Sequence, residues 1–248
     1  MEFSHNIAEW SFAPYILLGV GSFVATLTGS LLGVGGGFII LGVLSILLPI
    51  NILIPVLAAV LACIDLSRSL AFRNHIHTPI FYPFLLGCII GVTGGITFFL
   101  SLPKEAIGTG LAILILLSLI IPVSPLKWNI KYPFVWIGTI HSFLSTMFGY
   151  GGIFQAAVMQ TSLAKMRTTA TLASSFLMLE LMKVASYVAN GFSYQSYLGI
   201  ILAAACGAVP ASIIGRKLAH QVSLKFYRTG QRIILGVIAI NILIGVWY

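Results

Sequence analysis

Apolar residues run along this chain in long stretches cut by short polar segments. Six of those stretches, residues 53–72, 80–100, 106–123, 169–189, 194–215 and 230–247, have the length that a helix needs to cross a bilayer. Two further regions are interrupted. Residues 15–32 run into Gly33-Val34-Gly35-Gly36-Gly37 and then a short apolar piece, 38–50; residues 133–148 run into Gly149-Tyr150-Gly151-Gly152 and then 153–163. Each predicts a helix, a glycine break and a half-length helix. Broken backbone is tolerated at membrane depth only where protein or a water-filled cavity satisfies its polar groups, so both breaks are expected to be buried and polar-lined.

The two broken regions share a spacing. A shift of 116 places Gly33, Gly35, Gly36 and Phe38 on Gly149, Gly151, Gly152 and Phe154, Asn74 on Asn190, and Gly91 on Gly207, the pattern of a duplicated chain. Basic residues orient the halves, because cytoplasmic loops are enriched in Lys and Arg. With Arg216, Lys217, Lys225, Arg228 and Arg232 inside, Lys165 and Arg167 also fall inside. Lys127 and Lys131 can join them only if 133–163 enters and returns as a hairpin; Arg73 is then inside and Lys104 outside. The expectation is an all-α polytopic membrane protein. It is one transmembrane transporter domain, 1–248, made of two inverted repeats, about 15–126 and 127–248. Each repeat is a broken, re-entrant helix hairpin plus three transmembrane helices, with both termini outside. Inverted repeats with broken helices are a recurrent transporter architecture, with the site at the repeat interface near the midplane.

Composition excludes the soluble alternatives. The chain has 248 residues, 59% hydrophobic and 7% charged, with a mean hydropathy of +1.07, whereas a soluble domain carries roughly 25% charged residues. The net charge of +8 lies mostly between apolar stretches, so it reports orientation and no nucleic-acid partner is expected. Cys63, Cys88 and Cys206 sit inside apolar segments without a CxxC, which indicates neither a disulfide framework nor a zinc site. Residues 1–14 hold Glu2 and Glu9 and no Lys or Arg, so the first apolar segment is not expected to be a cleaved signal.

Candidate chemistry gathers at the breaks. Gly35, Gly36 and Gly37 open one helix, and Gly151 and Gly152 open another; free N–H groups and the positive dipole end of such helices suit an anion. No Gly-Lys-Ser/Thr follows, which disfavours a nucleotide phosphate loop. Thr28 and Ser30 before the first break, Ser145 before the second, and Tyr150 and Gln155 around it are the candidate lining residues. His141 could titrate, or simply pack. Four charges lie within spans, as two i,i+3 pairs, Asp65 with Arg68 and Glu180 with Lys183. Intramembrane charges are functional candidates by default, here for coupling to a proton. No cofactor or metal is expected; His75 and His77 lack a third ligand.

The sequence around Gly33–Phe38 (GVGGGF), Phe148–Phe154 (FGYGGIF) and Arg167-Thr-Thr-Ala-Thr resembles the TauE/SafE sulfite exporter family of permeases over nearly the whole chain. The resemblance implies a permease of the bacterial cytoplasmic membrane that moves sulfite, sulfonates or related organosulfur anions. The second motif lacks the third glycine, so Tyr150 and Gln155 would shape the site. The expected function is therefore a secondary transporter of a small sulfur-containing anion, sulfite or an organosulfur anion such as a sulfonate, working by alternating access. The alternatives are a channel or carrier for another small solute, and an intramembrane enzyme, for which His141, Ser142 and Ser145 are the nearest candidates but stand in no recognised nucleophile motif.

Overall fold

A computed structural model describes residues 12–32, 36–120, 131–149 and 152–218. Among the described residues there are nine α-helices and no strand: α1 (Ala13–Leu32), α2 (Gly36–Leu47), α3 (Ile50–Phe72), α4 (Thr78–Ser101), α5 (Lys104–Ile120), α6 (Pro133–Phe148), α7 (Gly152–Met159), α8 (Lys165–Ala189) and α9 (Leu198–Leu218). Proline sets several starts, where its missing N–H costs nothing: α3 follows Pro49, and α4 and α6 carry proline in the first turn. Glycine sets a stop. Gly149 closes α6 at φ +68°, a left-handed cap, and its N–H bonds the Ser145 carbonyl at 2.9 Å.

Among the described residues, five helical segments are long and apolar enough to cross a membrane: Ala13–Leu31, Ile50–His75, Thr78–Ser101, Lys165–Ala189 and Gln195–Leu218. Four of them coincide with stretches read from the sequence, and α5 is the fifth such stretch, with 17 residues described. The stretch 230–247 lies outside the described residues. The first broken region differs from a symmetric re-entrant loop, because α1 has 20 residues, about 30 Å of helix, enough to cross alone. The α2 helix, of 12 residues, turns back along it: Gly36 faces the Ala25 carbonyl and Gly21 faces Val43. The α7 helix has eight residues, about 12 Å, and cannot cross.

With lipid outside, the outward faces are apolar. On α4, Tyr82, Leu86, Ile89, Ile90 and Phe98 are exposed, while Phe84, Gly87, Cys88, Gly91 and Gly95 turn inward. Of the three cysteines, Cys88 is buried, Cys63 half-buried and Cys206 exposed.

Association between apolar helices in lipid relies on close packing of small residues, and two stripes supply it. On α4, Gly87, Gly91 and Gly95 lie against Gly138, Thr139, Phe143 and Thr146 of α6, with residue numbers rising together, so α4 and α6 are parallel. On α9, Gly199, Gly207 and Gly215 lie against Tyr15, Gly19 and Ser30 of α1, again in parallel, and Ser22 donates to the Ala204 carbonyl at 2.6 Å. Each first helix of a proposed half thus packs on a late helix of the other. At the centre α3 runs antiparallel to α8. The Tyr194 hydroxyl donates to the Pro55 carbonyl at one end, Ser69 and Ser174 hydroxyls meet at 2.8 Å, and the His77 N–H donates to Thr171 Oγ1 at the other.

These pairings gather the described basic residues outside the core. The Arg73–His75 turn lies against the start of α8, which carries Lys165 and Arg167, and the end of α9, with Arg216 and Lys217, is level with the end of α1. Lys104 stands at the opposite end, after α4 has crossed.

Steric limits differ sharply among the glycines. A Cβ on Gly207 would collide with the Gly19 backbone, whereas one on Gly94 would meet only the Phe143 ring at 3.4 Å. Gly207→Leu is expected to abolish monodisperse folded protein in detergent and Gly94→Ala to leave it nearly unchanged, as read by size-exclusion chromatography and thermal unfolding.

Candidate functional site

A cavity lies where the first turn of α2 meets α3, α6 and α8. Its lining joins Gly36, Gly37 and Phe38 of α2, Leu61, Ile64, Asp65 and Arg68 of α3, His141 and Ser145 of α6, Gly149, Gln155 of α7, and Phe176 and Glu180 of α8. One side is therefore charged and the other aromatic and aliphatic.

The charged side is built from the two i,i+3 pairs, which face each other because α3 and α8 cross antiparallel. Arg68 Nη1 donates to Asp65 Oδ1 at 2.9 Å, and Lys183 Nζ lies 2.8 Å from Glu180 Oε2; all four side chains are buried. A buried charge costs several kcal/mol unless paired and hydrogen-bonded, and here each cation has a second acceptor. Arg68 Nη2 donates to the Gly29 carbonyl at 2.9 Å, and Lys183 Nζ donates to Ser145 Oγ at 3.1 Å. Gly29 and Ser145 are related by the same shift of 116 that aligns the glycine breaks. In each half the cation thus ties the central helix to the end of that half's first helix. Gly29 is also a platform. A Cβ there would stand 3.0 Å from the guanidinium carbon.

The two helix starts differ. The first turn of α2, Gly36 to Phe38, lines the cavity. At α7 the third N–H, that of Phe154, donates to His141 Nδ1 at 3.3 Å, so a histidine caps that end. His141 is buried and stacked on Phe176, ring centroids 5.3 Å apart at 22°, with Phe84 and Phe154 close by. Its Nε2 and the Arg68 Nε are buried without a hydrogen-bond partner among the described residues.

The structure therefore brings Gly36, Gly37, Ser145, Gln155, Asp65, Arg68 and Glu180 to one cavity, with Lys183 directly behind it. It does not bring Thr28 or Ser30, which line no part of it: Thr28 bonds the Val24 carbonyl on its own helix, and Ser30 packs against Gly215 of α9. Gly152 opens α7 without lining the cavity. Gly35, Tyr150 and Gly151 lie outside the described residues. Sequence reasoning missed Gly29 and underrated His141. The repeat shift, applied to Ser145, would have found Gly29; no sequence signal marks His141 as a cap. Ser142 Oγ donates to the Gly138 carbonyl at 2.7 Å and not to His141, so these neighbours form no nucleophile–base pair.

Pairing of this kind makes a signed forecast. Lys183→Met should destabilise the chain by about 3–5 kcal/mol by leaving Glu180 alone in the core, and adding Glu180→Leu should recover most of that loss. Thermal unfolding of the purified single and double variants checks it.

Among known proteins, the family model described as sulfite exporter TauE/SafE matches residues 17–242. Neither the curated proteins nor the solved structures offer a significant match. Nearly the whole chain, both glycine breaks and both buried ion pairs included, is covered by that one match: the chain belongs to the TauE/SafE sulfite exporter family, a family of membrane transporters.

Proposed function

We propose that the chain is a secondary transporter that carries a small sulfur-containing anion, sulfite or a short organosulfonate, by alternating access between two inverted halves, 15–126 and 127–248. The observation that carries this reading is the meeting of the α2 first turn with both buried ion pairs on one cavity. A helix start with free N–H groups favours an anion without requiring a dedicated cation. Support for inversion comes from the antiparallel crossing of α3 and α8, which the shift of 116 makes equivalent. Equivalent helices that run in opposite senses are what an inverted repeat produces, and the exchanged α1·α9 and α4·α6 pairings are related in the same way. Gathering of Arg73, Lys165, Arg167, Arg216 and Lys217 at one end supports a cytoplasmic placement of that end in a bacterial inner membrane, with both termini outside.

Charge balance suggests the coupling ion. Asp65, Arg68, Glu180 and Lys183 sum to zero, so an anion arriving alone would leave one uncompensated charge in a low-dielectric cavity. Arrival with a proton keeps the site neutral. The proton would go to one of the two carboxylates, and Glu180 is the stronger candidate because its lysine partner is easier to neutralise than Arg68. Facing Glu180 are Asp65 and Arg68 from α3 and His141 from α6.

Proteoliposome flux of labelled sulfite, thiosulfate and short sulfonates, with and without a proton gradient, tests the reading; absence of flux for every anion sinks it. Gly37→Leu separates site from scaffold, since a Cβ there meets only Leu61 at 3.8 Å and the larger side chain has the cavity to fill. It should fold normally and lose transport. Gly36→Leu cannot make that distinction, because its Cβ would strike the Ala25 backbone. For coupling, Glu180→Gln should transport with a flattened pH dependence beside an Asp65→Asn control, and an unaltered pH profile would assign that pair to structure.

A further inference from the structure

Two nitrogen donors on the cavity wall have no bonding partner among the described residues. Arg68 spends Nη1 on Asp65 and Nη2 on Gly29, which leaves Nε–H buried and unbonded. His141 accepts the Phe154 N–H at Nδ1, so the neutral ring carries its hydrogen on Nε2, and that atom is likewise buried and unbonded. Neither group can turn to another partner. The guanidinium lies against Gly29 and the imidazole is stacked on Phe176. Buried donors are almost always bonded, so a pair of them on one cavity points to a ligand that accepts; the other unbonded polar atom on that wall, Glu180 Oε2, already lies 2.8 Å from Lys183 Nζ.

We propose that Arg68 Nε–H and His141 Nε2–H grip the oxygens of one anionic head beside the α2 first turn, and that the ligand is an organosulfonate with a short apolar tail, in preference to inorganic sulfite. This deepens the transport reading and rests on it. Three features select the class. Arg68 of α3, His141 of α6 and the first turn of α2 line the cavity from three helices, which suits three equivalent acceptor oxygens better than the two of a planar carboxylate. The surrounding side chains already balance, so a monoanion imposes the smaller excess charge, and a sulfonate is a monoanion where sulfite is in part divalent near neutrality. Phe38, Leu61 and Phe176 form an apolar wall that a bare oxyanion would leave unused and a short carbon chain would cover.

The test is calorimetric binding of propanesulfonate, sulfite and butanoate to the purified full chain, wild type and variants, with melting temperature measured alongside. Wild type should bind propanesulfonate tightest of the three. His141→Asn keeps an acceptor for the Phe154 N–H and so keeps its melting temperature, but it has no nitrogen at the Nε2 position. Arg68→Lys keeps a cation for Asp65 but has no Nε–H. Each should weaken propanesulfonate about tenfold or more, the usual scale for a lost charge-assisted hydrogen bond. His141→Gln, whose amide nitrogen reaches the Nε2 position, should bind within about threefold of wild type, losing melting temperature instead because the cap is gone. If wild type binds none of the three anions, the transport reading falls and this proposal with it. If wild type binds but His141→Asn matches it, or His141→Gln binds no better than His141→Asn, the donor assignment alone falls. Equal or tighter binding of sulfite overturns the choice of ligand class.

Discussion

A charge placed inside a membrane-crossing helix has to find its counter-charge at the same depth, and that requirement organises this protein. Asp65 with Arg68 and Glu180 with Lys183 lie on the two central helices, one turn apart within each pair, so each helix neutralises itself before it meets the other. Neutral helices can then pack face to face along their polar sides. The leftover donors of the two cations reach outward to Gly29 and Ser145. The hairpins are thereby pinned to the centre by the same groups that make the centre polar.

Around that core, packing is governed by how closely backbones approach. Lipid gives apolar helices no reason to prefer one another, so the small-residue stripes on α4 and α9 set which neighbours they accept. Those stripes pair α1 with α9 and α6 with α4, which crosses the proposed boundary between the halves. An arrangement of this kind does not divide into two independently packed halves. It leaves the space between the hairpins and the central helices as the place where polar groups and irregular backbone can coexist.

The cavity there holds opposing chemistry. Two ion pairs make it polar without giving it a net charge, and Phe38, Phe176 and Leu61 make the remaining wall apolar. Electrostatic attraction in such a place comes from oriented N–H groups more than from unpaired cations. That is compatible with a ligand that must enter and also leave, because a bare buried cation would hold an anion too strongly to release it.

Features that are local along the chain were legible in the sequence. The long apolar runs, the glycine breaks and the i,i+3 charge pairs each depend on residues a few positions apart, and the helices confirm the stretches 53–72, 80–100, 106–123, 169–189 and 194–215 to within their ends. Membership of the family rests on the same kind of local signal. The tertiary structure alone decided which glycine does what. Gly36 and Gly37 are neighbours of one type, yet a Cβ on one would strike the Ala25 backbone and a Cβ on the other would meet only the Leu61 side chain at 3.8 Å, because α2 leans on α1 through Gly36. It also decided that Thr28 and Ser30, polar and close to the break, turn away from the cavity, while His141, thirteen residues before Phe154, caps its helix. Hydropathy and spacing fix what a segment can be in a bilayer because that depends on its own residues, whereas the direction in which a side chain points depends on the helix packed against it.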